Sequence, residues 1–371
     1  MKARISLTIL LLLLNFCLLN SQKLPKNELD NFIANTIGQN QIPGLSIAIV
    51  IEDSVIYAKG FGIRKLGESD PVDAHTLYET ASLTKSFTAT LIGMLVDQGK
   101  INWADPVTKY IPAFEANDPF VTQILTIQDL LTLRSGFLNG DILSGANRME
   151  LIPQIRNLKI SNSFRLSQTS FNLNYTLAGI IAEIIEEKGW EEMIKSQILS
   201  PLKMNETYTD IPSVSSSSKN ISTPHGTENG KTTPLQFQDF GIYRPAEGIY
   251  SNVIDLAKWI KLQLNNGTVE KRLIINSETL ASLQKPQNIA IDVFKNLFNP
   301  EANFMTVGMG WFISDYQGLK IIQMGGLSEG TSNLITMVPS KKIGIIIQAN
   351  KSGAFDSFVK INYKVIKDLT L

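Results

Sequence analysis

The chain has 371 residues, 43% hydrophobic and 18% charged, which suits a globular protein able to bury a large core. Its 34 Lys and Arg balance 34 Asp and Glu, and no basic stripe or basic–aromatic interleaving occurs, so nucleic acid is not expected as a partner. The single cysteine, Cys17, leaves no disulfide framework and no cysteine-based metal site.

Lys2 and Arg4 precede an apolar run dominated by Leu10–Leu14 and Phe16–Leu19. Residues 1–21 therefore read as a secretory signal peptide, and the expected location is periplasmic or secreted. Weak membrane association is expected only if that segment is retained. Residues 22–371 form the expected functional domain. Asn27 to Thr36 reads as a surface helix, broken by Pro43-Gly44. Leu45 to Ile51 is a near-continuous apolar strand, and Glu52-Asp53-Ser54 turns it into a second, Val55 to Lys59.

The next helix pattern carries chemistry. Ala89, Leu91, Ile92, Leu95 and Val96 recur at helix spacing until Gly99, and Ser82-Leu-Thr-Lys85 lies at the start. Ser82 falls in the first turn, where unpaired backbone N–H groups and the helix dipole favour negative charge. Lys85 shares its face. Serine is a poor nucleophile until a neighbour takes its proton, and an amine does that only when uncharged. The four-residue pattern recurs at Ser200/Lys203, Ser216/Lys219, Ser282/Lys285 and Ser357/Lys360, so its spacing alone selects nothing. Ser82 is distinguished by opening an apolar helix after two strands.

Further helices are predicted at 126–131, 149–158, 176–188 and 190–199. Ile211 to Pro234, rich in Ser, Thr, Asn and Gly, reads as an extended surface loop. Asp255 to Leu264 and Ser277 to Leu283 are helical, then the period changes. Gly308–Ile313, Lys320–Met324, Ser332–Val338 and Ile343–Ala349 read as strands, and Ser357 to Leu369 as a closing helix. Strands at both ends with helices between predict an α/β (α+β) fold. One antiparallel sheet is built from both chain ends and flanked by helices, beside a mostly helical central lobe. The site is expected between the lobes.

Pro43-Gly44-Leu45, Gly60-Phe61-Gly62, Ser82-x-x-Lys85, the segments 99–106, 129–136 and 255–259, Gly310-Trp311 and Asn350 together resemble the serine β-lactamase-related family, of the class C and D,D-peptidase (penicillin-binding protein) type. The resemblance implies a β-lactamase/D,D-peptidase fold with Ser82 as acylated nucleophile and Lys85 as its proton acceptor. It places the second motif at Ser170-Phe171-Asn172, where the customary tyrosine is absent, so Ser170 relays the proton and Asn172 positions the substrate and Lys85. The third motif reads Met324-Gly325-Gly326, without the customary His or Lys, and Leu133 stands where histidine is usual. An oxyanion hole is implied at the backbone N–H groups of Ser82 and Leu327. Ala246-Glu247-Gly248 usually reads Ala-Gly-Gly and borders the cleft. A carboxylate at Glu247 then either replaces acid/base capacity or selects a cationic substrate, although general exposure of glutamate favours a solvated surface residue.

The working expectation is a serine hydrolase acting on an amide, ester or lactam carbonyl of a small-molecule or peptide-like substrate. The alternative keeps the fold and binds a peptidoglycan-like or other ligand without turnover, since phenol and imidazole are replaced by Ser and Met. A Ser-His-Asp triad lacks candidates, because His75 and His225 both read as surface loop residues. No spacing suits zinc, and Gly60-Phe-Gly62 lacks the phosphate-loop lysine, so neither metal nor cofactor is expected. The four tryptophans read as packing residues.

Overall fold

The structure is a computed structural model that describes residues 24–138, 143–161, 164–166, 168–169 and 172–370. The expected signal segment, Ser170 and Phe171 lie outside the described residues.

Helix α1 (Lys26–Gln39) buries Leu29, Ile33 and Ile37, one apolar stripe at helical period. β1 (Gly44–Ile51) and β2 (Ser54–Gly62) form the predicted hairpin, with a register shift between Ile49 and Val50. β3 (Tyr78–Glu79) leads into α2 (Thr84–Asp97). The helical lobe continues with α3 (Pro119–Ile124), α4 (Ile127–Leu131), α5 (Ile152–Ile155), α6 (Asn172–Glu186) and α7 (Trp190–Met193). It is completed by α8 (Ile211–Ser217), the hairpin β4 (His225–Glu228) and β5 (Lys231–Pro234), and α9 (Arg244–Glu247). β6 (Tyr250–Ser251) pairs with β3. Then come α10 (Val253–Leu264), the short hairpin β7 (Thr268–Val269) and β8 (Arg272–Leu273), α11 (Ser277–Leu283), β9 (Asn288–Ile289) and α12 (Asp292–Phe298). β10 (Met305–Val307), β11 (Phe312–Tyr316), β12 (Leu319–Leu327), β13 (Ser332–Val338) and β14 (Ile343–Ala349) precede the last helix, α13 (Phe355–Thr370).

Eight strands make one antiparallel sheet in the order β2-β1-β14-β13-β12-β11-β10-β9. The two chain ends meet at β1 and β14, where Leu45 faces Ala349 and Ile51 faces Ile343. Both strands are buried along nearly their whole length, which is why they read as unbroken apolar runs rather than alternating ones. α10 covers one face, where Ile260 packs over Gly344. α12 and α13 cover the other, where the Asn362 amide donates to Thr336 Oγ1 and the Phe298 ring lies against Gly325. Asn350 locks the junction: its Oδ1 accepts the Gly44 N–H at 2.7 Å while its amide donates to the Ile63 and Arg64 carbonyls. Trp259 stacks on Phe87 at 4.0 Å between ring centroids, and Trp190, Trp259 and Trp311 are all buried.

Two stretches depart from expectation. Residues 211–234 are not an irregular loop, because Asp210 caps α8 through Ser213 N–H and a turn at Asn229-Gly230 joins β4 to β5. Polar composition hid both elements, since a hairpin of Thr, Lys and Glu carries no apolar alternation. Of the strand expected at Gly308–Ile313, only Phe312 and Ile313 are in β11; Gly308–Trp311 turn between β10 and β11, with Gly310 at φ +80° packed on Ser86 and Ala89. A side chain there would strike α2.

Candidate active site

Ser82 sits in a 3-10 turn, Ala81–Leu83, that runs directly into α2. Ala81 holds φ +47°, a left-handed conformation costly for a residue with a Cβ. The turn is clamped from two sides. Thr80 donates through both N–H and Oγ1 to the Ile249 carbonyl, at 3.0 and 2.7 Å. Across from it, β12 runs so close that a Cβ on Gly326 would lie 2.0 Å from the Thr80 carbonyl oxygen. On the opposite sheet face, a Cβ on Gly325 would overlap the Phe298 ring. The paired glycines let β12 lie flat between the Ser82 turn and α12. Leu327 follows, half exposed, at the strand's end.

Lys85 enters from the first turn of α2 with its side chain 1% exposed. Its Nζ donates to Ser82 Oγ at 2.7 Å, to Asn172 Oδ1 at 2.8 Å and to the Ala246 carbonyl at 3.3 Å. Asn172 is the first residue of α6, and the ring of Tyr175, one turn on, lies 6.0 Å from the ammonium. Ser82, Lys85 and Asn172 are thus brought together.

Glu247 is not a solvated surface residue. Its side chain is 15% exposed, its Oε1 accepts a hydrogen bond from Ser82 Oγ at 3.2 Å, and the same oxygen lies 3.8 Å from Lys85 Nζ. The segment carrying it hangs from α2: Thr88 Oγ1 donates to the Pro245 carbonyl, Lys85 to Ala246, and Thr84 Oγ1 accepts the Ile249 N–H. Gly179 of α6 makes room for Pro245, since a Cβ there would lie 2.6 Å from the proline ring.

Met324 is 5% exposed and belongs to the main hydrophobic cluster. It shares a sheet face with Gly326 but offers that face only a thioether. Tyr175 does not stand in for the missing phenol. Burial pushes its pKa far up, and its hydroxyl donates to the Leu131 carbonyl at 2.7 Å. Glu79 went unmarked in the sequence. It is buried, and burial followed by the nearby Glu247 charge pushes its carboxyl up against the opposing pull of Gln238 N–H and Ser328 Oγ. Through Ser328 it ties the residue after Leu327 to β3.

The histidines are elsewhere. His75 is exposed and pairs with Glu206 at 2.7 Å. His225, expected on the surface, is fully buried between the Leu66 N–H and the Asn350 carbonyl. Among the described residues no group of His, Cys, Asp and Glu is placed to hold a metal ion. A cavity of about 780 Å³ lined by Lys203, Lys258, Lys261 and Lys271 contains none of the Ser82 cluster, so chemistry rather than volume locates the site.

Comparison with known proteins agrees. The chain is 26% identical to protein flp of Staphylococcus aureus (strain NCTC 8325 / PS 47), over 89% of this chain and 64% of that protein. It is 28% identical to the unguisins hydrolase ungD of Aspergillus violaceofuscus, over 84% of this chain and 59% of the relative. The chain therefore spans under two thirds of the length of either. The octameric penicillin-binding protein homologue from Pyrococcus abyssi superimposes with a TM-score of 0.79 at 26% identity, covering 93% of this chain and 77% of that one. Residues 29–368 match the Beta-lactamase family profile, so this chain, with its sheet joined from both chain ends, belongs to the Beta-lactamase family.

Proposed function

We propose that this protein is a serine hydrolase that forms an acyl-enzyme at Ser82. Its substrate is a small or peptide-like amide, ester or lactam, met in the periplasm or outside the cell. The supporting observation is the 2.7 Å contact between Ser82 Oγ and a buried Lys85 that is itself anchored on Asn172. A hydroxyl at the N-terminal end of a helix becomes a nucleophile toward a carbonyl once a neighbouring group takes its proton, and the helix dipole favours the charge that develops there. The N–H groups of Ser82 and Leu327 supply the oxyanion hole in this reading, and backbone donors survive the loss of motif side chains. The relative ungD is itself named a hydrolase. Incubation with a fluorophosphonate, a penicillin, an acyl ester and a D-amino-acid amide, read by intact mass, tests the proposal. One adduct on the native chain, absent from Ser82→Ala, is expected. No adduct with any of the four probes overturns it.

A second reading, binding without turnover, is favoured by Met324 packed in the core and by a carboxylate 3.8 Å from Lys85. It requires ligand-induced thermal stabilisation that Ser82→Ala leaves intact. Faster product formation by the native chain than by Ser82→Ala removes it.

A further inference from the structure

We infer that Glu247 is the general base of this site: its carboxylate, rather than the Lys85 amine, receives the proton of Ser82. The inference rests on the serine-hydrolase reading and names the group that makes it work. Ser82 has one proton to give and, among the described residues, two side chains within hydrogen-bond reach. Lys85 Nζ lies 2.7 Å from Oγ and Glu247 Oε1 lies 3.2 Å from it. An amine can take a proton only through a free lone pair. A carboxylate 3.8 Å away favours the ammonium, which has none. As an ammonium, Lys85 has N–H bonds to give Ser82 Oγ, Asn172 Oδ1 and the Ala246 carbonyl. Its hydrogen on Ser82 Oγ then turns the hydroxyl's own hydrogen outward, and the acceptor in that direction is Glu247.

The carboxylate is built in, not a chance surface contact. Pro245, Ala246 and Ile249, on both sides of it, are each hydrogen-bonded to a side chain of α2. The helix that carries Lys85 and continues the Ser82 turn therefore also fixes the base. With tyrosine missing from the second motif, a carboxylate reaching Ser82 from this third segment supplies the lost acceptor.

The step balances. Ser82 Oγ–H breaks as Oγ bonds to the substrate carbonyl carbon. The proton moves to Glu247 and the carbonyl electron pair to oxygen. Collapse of that oxyanion expels the leaving group, which takes the proton from Glu247. Water then gives its proton to Glu247 as its oxygen bonds to the acyl carbon. The second collapse releases the acid and returns the proton to Ser82 Oγ. Throughout, the ammonium of Lys85 offsets charge on Oγ.

The test is the rate at which a fluorophosphonate labels Ser82 in the full chain. Here Oγ bonds to phosphorus, fluoride leaves and the serine proton passes through the base to solvent. Glu247→Gln keeps size and hydrogen bonding but cannot accept a proton, and labelling is expected to slow by at least about 100-fold with an unchanged melting curve. Glu247→Ala is expected to be as slow, and added formate, a carboxylate small enough for the vacated space, to restore labelling in proportion to its concentration. The formate arm stands even if Glu247→Gln folds poorly. Labelling of Glu247→Gln within about threefold of native, or no formate response in Glu247→Ala, overturns the inference while a labelled native chain leaves the hydrolase reading standing. A native chain that takes no label at Ser82 overturns both.

Discussion

His225 shows how much a single residue's surroundings decide. Its sequence neighbours are Ser, Thr, Pro and Gly, yet its ring is buried and both nitrogens are engaged. Nε2 accepts the Leu66 N–H at 3.0 Å, so Nδ1 carries the hydrogen given to the Asn350 carbonyl at 2.8 Å. Protonation puts a second N–H against Leu66 in a buried place, and burial holds the pKa below its ordinary value. A histidine whose folded pKa is depressed binds its proton more readily when unfolded. Its contribution to stability is therefore complete above about 6.5 and declines as pH falls below that value. Thermal melting is expected to drop through this window in the native chain, and less steeply in His225→Gln. Glu247 carries the same lesson. It lies far along the chain from Ser82, so no local periodicity marks it. Only a departure from the family pattern at that position singled it out, and general exposure statistics pointed the wrong way. Ser82, Lys85 and Asn172 were legible because helix spacing and motif order are local properties of sequence.

At the scale of elements, two devices set the site. The first is the close approach of β12 to the Ser82 turn. Gly326→Ala places a methyl 2.0 Å from the Thr80 carbonyl, so strand or turn must move. Overpacking of this kind costs about 1–3 kcal/mol, and here the displaced part carries Ser82. The expected outcome is a lower melting temperature together with loss of probe labelling. Gly99→Ala, at positive φ with open space around it, serves as control and is expected to destabilise without losing label. The second device is the capping box of α4, where Thr126 and Asp129 bond reciprocally. Asp129 is fully buried. Burial alone raises its pKa, but Arg165, Thr126 and Arg134 outweigh that and hold it below the ordinary value. Asp129→Ala leaves two guanidinium groups facing a void and is expected to cost about 3–5 kcal/mol in denaturant titration. Element types were largely readable because α2 and α6 keep a helical period while β1 and β14 are short, unbroken apolar runs bounded by turn residues. The hairpin at β4–β5 was not, since its stability comes from its turn and from docking of His225 rather than from an apolar face.

Across the whole molecule, one core runs from α1 through the sheet into the helical lobe. The end-joined sheet was legible because apolar runs cluster at both ends of the sequence while the middle keeps a helical period. The register was not, since near-uniform burial on β1 and β14 carries no alternation to fix it. α13 completes the sheet's outer layer with Phe355, Phe358, Ile361 and Val365. Removing residues 355–371 exposes the strand face beneath, and the expected product melts far lower and binds a hydrophobic dye. An unchanged melting curve for that truncation would show the layer to be dispensable.

The pairing of Leu45 with Ala349 also dictates when this protein can exist at all. During translation, β1 emerges roughly 300 residues before its partner, an interval of about 15–60 s at ordinary ribosome speeds. Through that time a greasy ribbon with an open edge is on offer to any other nascent chain. Slowing elongation late in the message is therefore expected to raise aggregation more than slowing it early, as read by the soluble fraction of the full-length chain.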